Sequence, residues 1–357
     1  MRAAPGRKLG LWGAAAVVCV AGGLAAETVG LPAPWLLAGL AGGLAVALSR
    51  GGALELPQAP IAASQAVVGV TLGASIAPSS LGGIAGAWWI VLALVAATLA
   101  SSVAVAFGLA RLTGIDRTTA ALGMLPGAAP ALVAVGDEVD ADARLVATMQ
   151  YGRVLIVIAT VPLVALLLGS GAAPPGAGPA RAASPAGLEA VVAAALAAAA
   201  GGLLARLARA PAASLVGPLA LSALATVTGV VALAVPAVVA DAAFVVVGAS
   251  VGLRFDRASV RRAGRLAPAM AGAVVVLSVV CAALGLALLA ALDTDPLTAY
   301  LATTPGGISS VLAAAFDSGA DLTIVVAVQT LRLMVLALAA PFAARGLGRR
   351  PCTEDVR

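Results

Sequence analysis

Histidine is absent from these 357 residues, and cysteine occurs three times, at Cys19, Cys281 and Cys352. The first absence removes the commonest ligand for copper, zinc and non-haem iron, together with the commonest general acid–base. The second leaves no disulfide framework and no paired metal spacing. Charge is scarce as well: Asp, Glu, Lys and Arg make up 10% of the chain, against 62% hydrophobic residues. That balance excludes a soluble globule, because several apolar runs exceed the roughly 18 residues that a helix needs to cross a bilayer. The net charge of +5 is therefore no nucleic-acid signature. Basic residues sit singly or in short clusters between apolar runs, and no compact soluble domain is left over to bind DNA. Period-two alternation is missing too, so an all-α polytopic membrane protein is expected. No nucleophile–base pair and no phosphate loop occurs. The expectation is no enzyme and no cofactor.

What the chain does contain is a match to itself at an offset of 179 residues. Asp116 falls on Asp295, Pro126 on Pro305, Gly127 on Gly306 and Asp142 on Asp321. Gln150 falls on Gln329, Arg153 on Arg332, and the Gly69/Gly73 pair on Gly248/Gly252. There are only four glutamines, and two of them coincide. Chance matching of alanines cannot produce this, so the chain reads as two copies of one membrane unit. Residues 1–168 form the first repeat and 187–345 the second. Between them, 169–186 is a linker rich in Gly, Pro and Ala, and 346–357 is a cytoplasmic tail. Residues 9–26, preceded by Arg2, Arg7 and Lys8, have the make-up of a signal-peptide core. Their match to the apolar run 188–205 favours a retained helix.

Each copy carries six apolar segments, at about 9–26, 32–48, 58–77, 84–110, 117–136 and 143–168, and at about 187–205, 214–231, 236–253, 266–292, 296–316 and 321–344. The fifth is interrupted in both, by Leu125-Pro126-Gly127-Ala128-Ala129-Pro130 and by Thr303-Thr304-Pro305-Gly306-Gly307. Proline removes a backbone donor and glycine frees the chain to bend, so each is expected to be a broken or re-entrant helix. Charge supports this. If all twelve segments crossed, Arg206, Arg209 and the Arg254–Arg265 cluster would lie outside. If the broken segments enter and leave on one side, every basic residue outside the membrane becomes cytoplasmic except Arg181, as are both termini. Five crossings per copy then force the copies into opposite orientations. The expected fold is two inverted repeats, each of about five transmembrane helices plus one broken helix.

Arg153 and Arg332 lie midway along the sixth segments, with Gln150 and Gln329 three residues earlier on the same face. Charge there costs about 2.5–3.5 kcal/mol on the insertion scale and marks function by default. The expected site joins these four residues to Pro126 and Gly127, and to Thr303, Thr304, Pro305, Gly306, Gly307, Ser309 and Ser310. Two guanidiniums and two half-helix N-termini would suit a small anion. The structural alternative is that each arginine holds a broken-helix carbonyl or a nearby acid such as Asp137, Asp142, Asp317 or Asp321. Asp142 and Asp321 are otherwise expected in structural or gating roles, as are the G-x-x-x-G faces Gly69/Gly73 and Gly248/Gly252, where helices approach closely. The acidic cluster Asp137, Glu138, Asp140 and Asp142 reads as a solvated loop. Trp88 and Trp89 read as interfacial anchors.

Certain strings resemble the AbrB family of bacterial membrane proteins, which are unrelated to the soluble transition-state regulators of that name. These are Leu31-Pro-Ala-Pro-Trp-Leu-Leu37, Val68-Gly-Val-Thr-Leu-Gly-Ala-Ser75, Val247-Gly-Ala-Ser-Val-Gly-Leu-Arg-Phe255 and, above all, Thr304-Pro-Gly-Gly-Ile-Ser309. The last is followed by Gly319-Ala-Asp321 and Gln329-Thr-Leu-Arg-Leu333. The resemblance implies a multi-pass protein of the bacterial inner membrane, sometimes labelled a regulator of gene expression and sometimes an ammonia monooxygenase. Ser310 and Val311 stand where that family's pattern leads one to expect an acidic residue and a methionine. Three functions follow as expectations. The first is a secondary transporter or permease for a small anionic metabolite. The second is a membrane sensor or regulator without transport. The third, a monooxygenase, would need a metal site that a chain without histidine does not offer. The partners expected are the lipid bilayer and that metabolite, with no nucleic acid; a homo-oligomer is left open.

Overall fold

The computed structural model describes residues 5–50, 56–127, 132, 136, 139, 141–168, 187–255, 264 and 266–347. The linker 169–186, the tail beyond 347, Ala128, Ala129, Pro130, most of the acidic cluster and most of the Arg254–Arg265 loop lie outside these residues. Among the described residues every element is a helix. In chain order they are α1 (Pro5–Thr28), α2 (Pro34–Arg50), α3 (Gln58–Ala74), α4 (Pro78–Gly86), α5 (Trp88–Thr113), α6 (Arg117–Met124) and α7 (Ala143–Leu167). The second half continues with α8 (Leu188–Leu207), α9 (Ala213–Thr228), α10 (Ala237–Gly252), α11 (Ala267–Leu292), α12 (Pro296–Thr303), α13 (Ile308–Ser318) and α14 (Leu322–Leu347).

Five helices are long and apolar enough to cross a bilayer, and a sixth is added if the bent pair α3–α4 counts as one. Leucines and valines stay exposed along them, as Leu196, Leu286 and Leu338 do, in a pattern that lipid would cover. These are the features of a polytopic membrane protein. The expected segments at 32–48, 58–77, 214–231 and 236–253 become helices of only 16 or 17 residues. At a rise of about 1.5 Å per residue these fall a few ångströms short of the hydrocarbon core. α4 departs from expectation. It turns 86° from α3 and occupies the interval between the expected segments 58–77 and 84–110 and the first residues of the latter, because Pro78 suits a helix's first turn but cannot continue the preceding one.

The short helices pack in close contact, and glycine is the reason. A Cβ on Gly248 would sit 2.1 Å from the Leu36 carbonyl oxygen, and one on Gly252 2.3 Å from that of Leu40. Shifted by 179 residues, Gly69 meets the carbonyl of Leu215 and Gly73 that of Leu219, each at 2.5 Å. So α10 packs on α2, and α3 on α9, by the same residues. In both pairs the contacts ascend together along the two chains, so the helices run parallel. Within each half the hairpins are antiparallel: the Cys19 thiol meets the Ala38 carbonyl, while Ala234 N donates to Ala190 O.

The second interrupted segment is a hairpin of α12 and α13, and in the first α6 is the described limb. Asp116 and Asp295 cap the first half-helices, α6 and α12, by accepting amide hydrogens from the first turn. At the far end, Asp142 N donates to Thr119 Oγ1 at 3.0 Å, and Asp321 N to Thr298 Oγ1 at 2.7 Å. The start and finish of each segment are therefore hydrogen-bonded to one another.

Candidate functional site

A helix that stops inside protein leaves its last carbonyls without amide partners, and each costs about 1–3 kcal/mol if nothing replaces water. α6 stops at Met124 and α12 at Thr303, because Pro126 and Pro305 have no N–H to offer and Leu125 and Thr304 take extended backbone. The sixth-segment side chains fill the deficit. Gln150 Nε2 donates to the carbonyls of Leu122 (2.6 Å) and Leu125 (2.9 Å). Arg153 Nη1 donates to those of Met124 and Leu125, both at 2.9 Å, and Nη2 to Gln150 Oε1 at 2.8 Å. In the second half Gln329 Nε2 donates to the Leu301 and Thr304 carbonyls. Arg332 donates to Thr304 O at 2.8 Å, to Gly306 O at 3.3 Å and to Gln329 Oε1. All four side chains are buried, Arg153 to 1% and Arg332 to 3% exposure.

The breaks also pack on each other's arginine helices. A Cβ on Gly127 would come within 1.8 Å of Leu336 Cδ2 on α14, and one on Gly306 within 3.0 Å of Val157 Cγ1 on α7. Leu336 and Val157 are themselves 179 residues apart. The two guanidiniums and the Cys281 thiol on α11 lie within electrostatic range of one another. No Asp or Glu is buried among the described residues, and the hydrogen bonds of both arginines go to carbonyls and to glutamine. Arg153 Nε and Thr304 Oγ1 are buried without a hydrogen-bond partner.

The other expected site residues divide into two groups. Pro305 and Gly306 are buried in the second break, Gly307 caps α13, and Ser309 is partly exposed in its first turn. Ser310 Oγ donates back to the Gly307 carbonyl at 3.1 Å, and Thr303 Oγ1 to those of Ala299 and Tyr300. These hydroxyls serve their own helices. Asp142 and Asp321 do not meet the arginines either. Asp142 Oδ1 accepts from Arg144 N and Leu145 N, and Asp321 Oδ1 from Thr323 N and Ile324 N, as caps of α7 and α14. Asp321 Oδ2 also accepts from Ser80 Oγ of α4. The glycine pairs are packing faces, remote from the breaks along the chain.

The model for a family described as "Transition state regulatory protein AbrB" matches residues 35–348. That span takes in both breaks and both Gln/Arg helices. The chain belongs to the AbrB family. Among curated proteins, a relative from Escherichia coli (strain K12) named "Putative regulator AbrB" is 33% identical over 342 residues, covering 94% of this chain and 95% of its own. No solved structure matches.

In this AbrB-family chain the departures Ser310 and Val311 fall at the start of α13. Val311, 1% exposed, packs inside the core, and a Cβ on Gly306 would sit 2.5 Å from its Cγ2. The position that the family pattern led one to expect as methionine is thus an apolar packing position here. Sequence reasoning overlooked Cys281. The repeat pairs it with Ser102, and both are 0% exposed near the middle of the fourth segments. A small polar residue at matching depth in both copies was the available signal. Among the described residues no three His, Cys, Asp or Glu side chains gather as metal ligands.

Proposed function

We propose that the chain is a secondary transporter, a permease that moves a small anionic metabolite across the bacterial inner membrane by alternating access. Two buried guanidiniums beside two helix breaks, with no buried acid among the described residues, carry this reading. Each half-helix C-terminus contributes roughly half a negative charge, so the two offset only about one of the two positive charges. A site in low dielectric with about one uncompensated positive charge attracts an anion, and the amide end of α13 adds to the attraction. A catalytic step or a cofactor forms no part of the proposal.

The architecture proposed is an inverted repeat of two five-crossing copies, each with a re-entrant hairpin and with both termini cytoplasmic. Two features support it. The hydrogen-bonded ends of each hairpin suit entry and exit on one face. The parallel pairs α2/α10 and α3/α9 suit opposite orientation of the copies. Connections 51–57 and 229–236 are too short to recross a bilayer except as stretched, unpaired backbone, which hydrocarbon forbids. So α2 opposes α3 in direction, and α10, the counterpart of α3, runs with α2.

The test is uptake of organic anions into proteoliposomes holding the purified chain. Arg153→Ala and Arg332→Ala are each expected to cut flux roughly ten- to a hundredfold, the worth of one charge-assisted hydrogen bond. Full flux in both variants, correctly inserted, would end the proposal. The relative's name favours a second reading, a sensor that binds an anion without moving it and signals through a cytoplasmic partner. Saturable binding with no flux of any anion selects that reading.

A further inference from the structure

A cavity of about 340 Å³ lies against Arg153, at the end of the molecule where α2 and α10 finish and α11 begins. Three of the chain's five methionines, Met124, Met149 and Met270, line it together with Phe255. Besides Arg153, the only polar side chain among the described lining residues is Thr148, whose hydroxyl already donates to the Arg144 carbonyl at 2.8 Å. Arg153 is itself 1% exposed, and its Nε lacks a partner. Near the same end the Arg254 guanidinium stacks 4.8 Å from the Tyr151 ring centroid, a second positive charge that would draw anions inward.

The lining decides the class of ligand. A single buried cation, partly offset by the α6 carbonyls, balances one negative charge. Among the described lining residues a second carboxylate on the same molecule would find thioethers, an aromatic ring, aliphatic groups and one hydroxyl already engaged, and no second cation to pair with. Thioether side chains are flexible and polarizable, so they accept bodies of differing shape. We infer that this cavity is the substrate chamber of the transport site, and that it takes small monocarboxylates with a compact apolar body, branched-aliphatic or aromatic, in preference to dicarboxylates or phosphate. The physiological use of the cavity rests on the transport reading above; binding does not.

The experiment uses the full-length chain in lipid nanodiscs, titrated with benzoate, isovalerate, benzamide, succinate and inorganic phosphate. Benzoate and isovalerate are expected to bind, with benzamide, succinate and phosphate at least about tenfold weaker, the least that an unmet or missing charge costs here. Arg153→Gln is expected to abolish benzoate binding. Because Arg153 also holds the end of α6, Met270→Trp provides a second arm. It fills the chamber without touching charge, and it should lose benzoate affinity while the protein stays monodisperse. The inference is overturned if succinate or phosphate binds as well as benzoate, if benzamide matches benzoate, if folded Met270→Trp binds benzoate unchanged, or if none of the probes binds. Benzoate binding without flux in proteoliposomes sinks transport and leaves the chamber. Flux of dicarboxylates without benzoate binding does the reverse.

Discussion

Each buried arginine answers a deficit that a proline creates. Pro126 and Pro305 end α6 and α12 inside the protein, and the stranded carbonyls are met by Gln150/Arg153 and Gln329/Arg332. Replacing Arg332 by leucine leaves Thr304 O to Gln329 Nε2 but withdraws the donor from Gly306 O and from Gln329 Oε1, two acceptors stranded at about 1–3 kcal/mol each. Gln329→Leu strands Leu301 O alone, because Arg332 still serves Thr304 O, so it should cost about 1–3 kcal/mol. Thermal denaturation of the purified variants should rank Arg332→Leu below Gln329→Leu and both below the parent; equal melting would contradict the hydrogen-bond assignment. Asp321→Ala should lower stability by about 0.5–2 kcal/mol as a lost cap. That the two Gln/Arg pairs matter could be read from their recurrence among scarce residue types. That they grip carbonyls was one of the alternatives the sequence left open; that Asp142 and Asp321 serve as caps and not as their partners could not be read there. A side chain's partner depends on where the preceding hairpin folds back.

At the scale of elements, close approach of backbones carries the packing. The G-x-x-x-G spacing in α3 and α10 announced a close-packed face, but not which helix it would meet. The partners prove to be α9 and α2, from the opposite half of the chain. Adding one methyl at Gly248, where a Cβ falls 2.1 Å from the Leu36 carbonyl oxygen, must push two backbones apart. Gly248→Ala is expected to destabilise by about 1–3 kcal/mol, the usual cost of overpacking. Gly108→Ala on α5, where a Cβ would meet nothing within 4 Å, should do no harm. A melting comparison of the two checks this; equal destabilisation would mean that contact geometry does not govern stability here. α4 escaped notice because a nine-residue helix with Leu81 and Ile84 as its only large apolar residues has too little apolar periodicity to stand out from a loop.

The whole molecule poses the question of orientation. Single cysteines at Leu207, Val230 and Thr294, introduced after replacing Cys19, Cys281 and Cys352 by serine, distinguish the two topologies in intact cells. The inverted arrangement makes Leu207 cytoplasmic and Val230 and Thr294 external, whereas twelve crossings reverse all three. Labelling by a membrane-impermeant maleimide at Val230 and Thr294 only is the expected outcome. Labelling at Leu207 only would remove the inverted repeat, and with it the pairing of the two breaks as opposed halves of one pathway.

Composition and spacing alone determined that this chain is helical, has runs apolar and long enough for a bilayer, repeats its scarce residues at a fixed offset, and carries a Pro-Gly interruption at the same place in each repeat. Those properties are local: hydropathy, a proline's missing donor and a recurring residue order need no partner to be read. Which helices touch, what the arginines hold, and that methionines line a cavity beside Arg153 were decided by the tertiary structure. Each depends on contacts between residues far apart along the chain, and a periodic apolar surface does not specify the partner against which it packs.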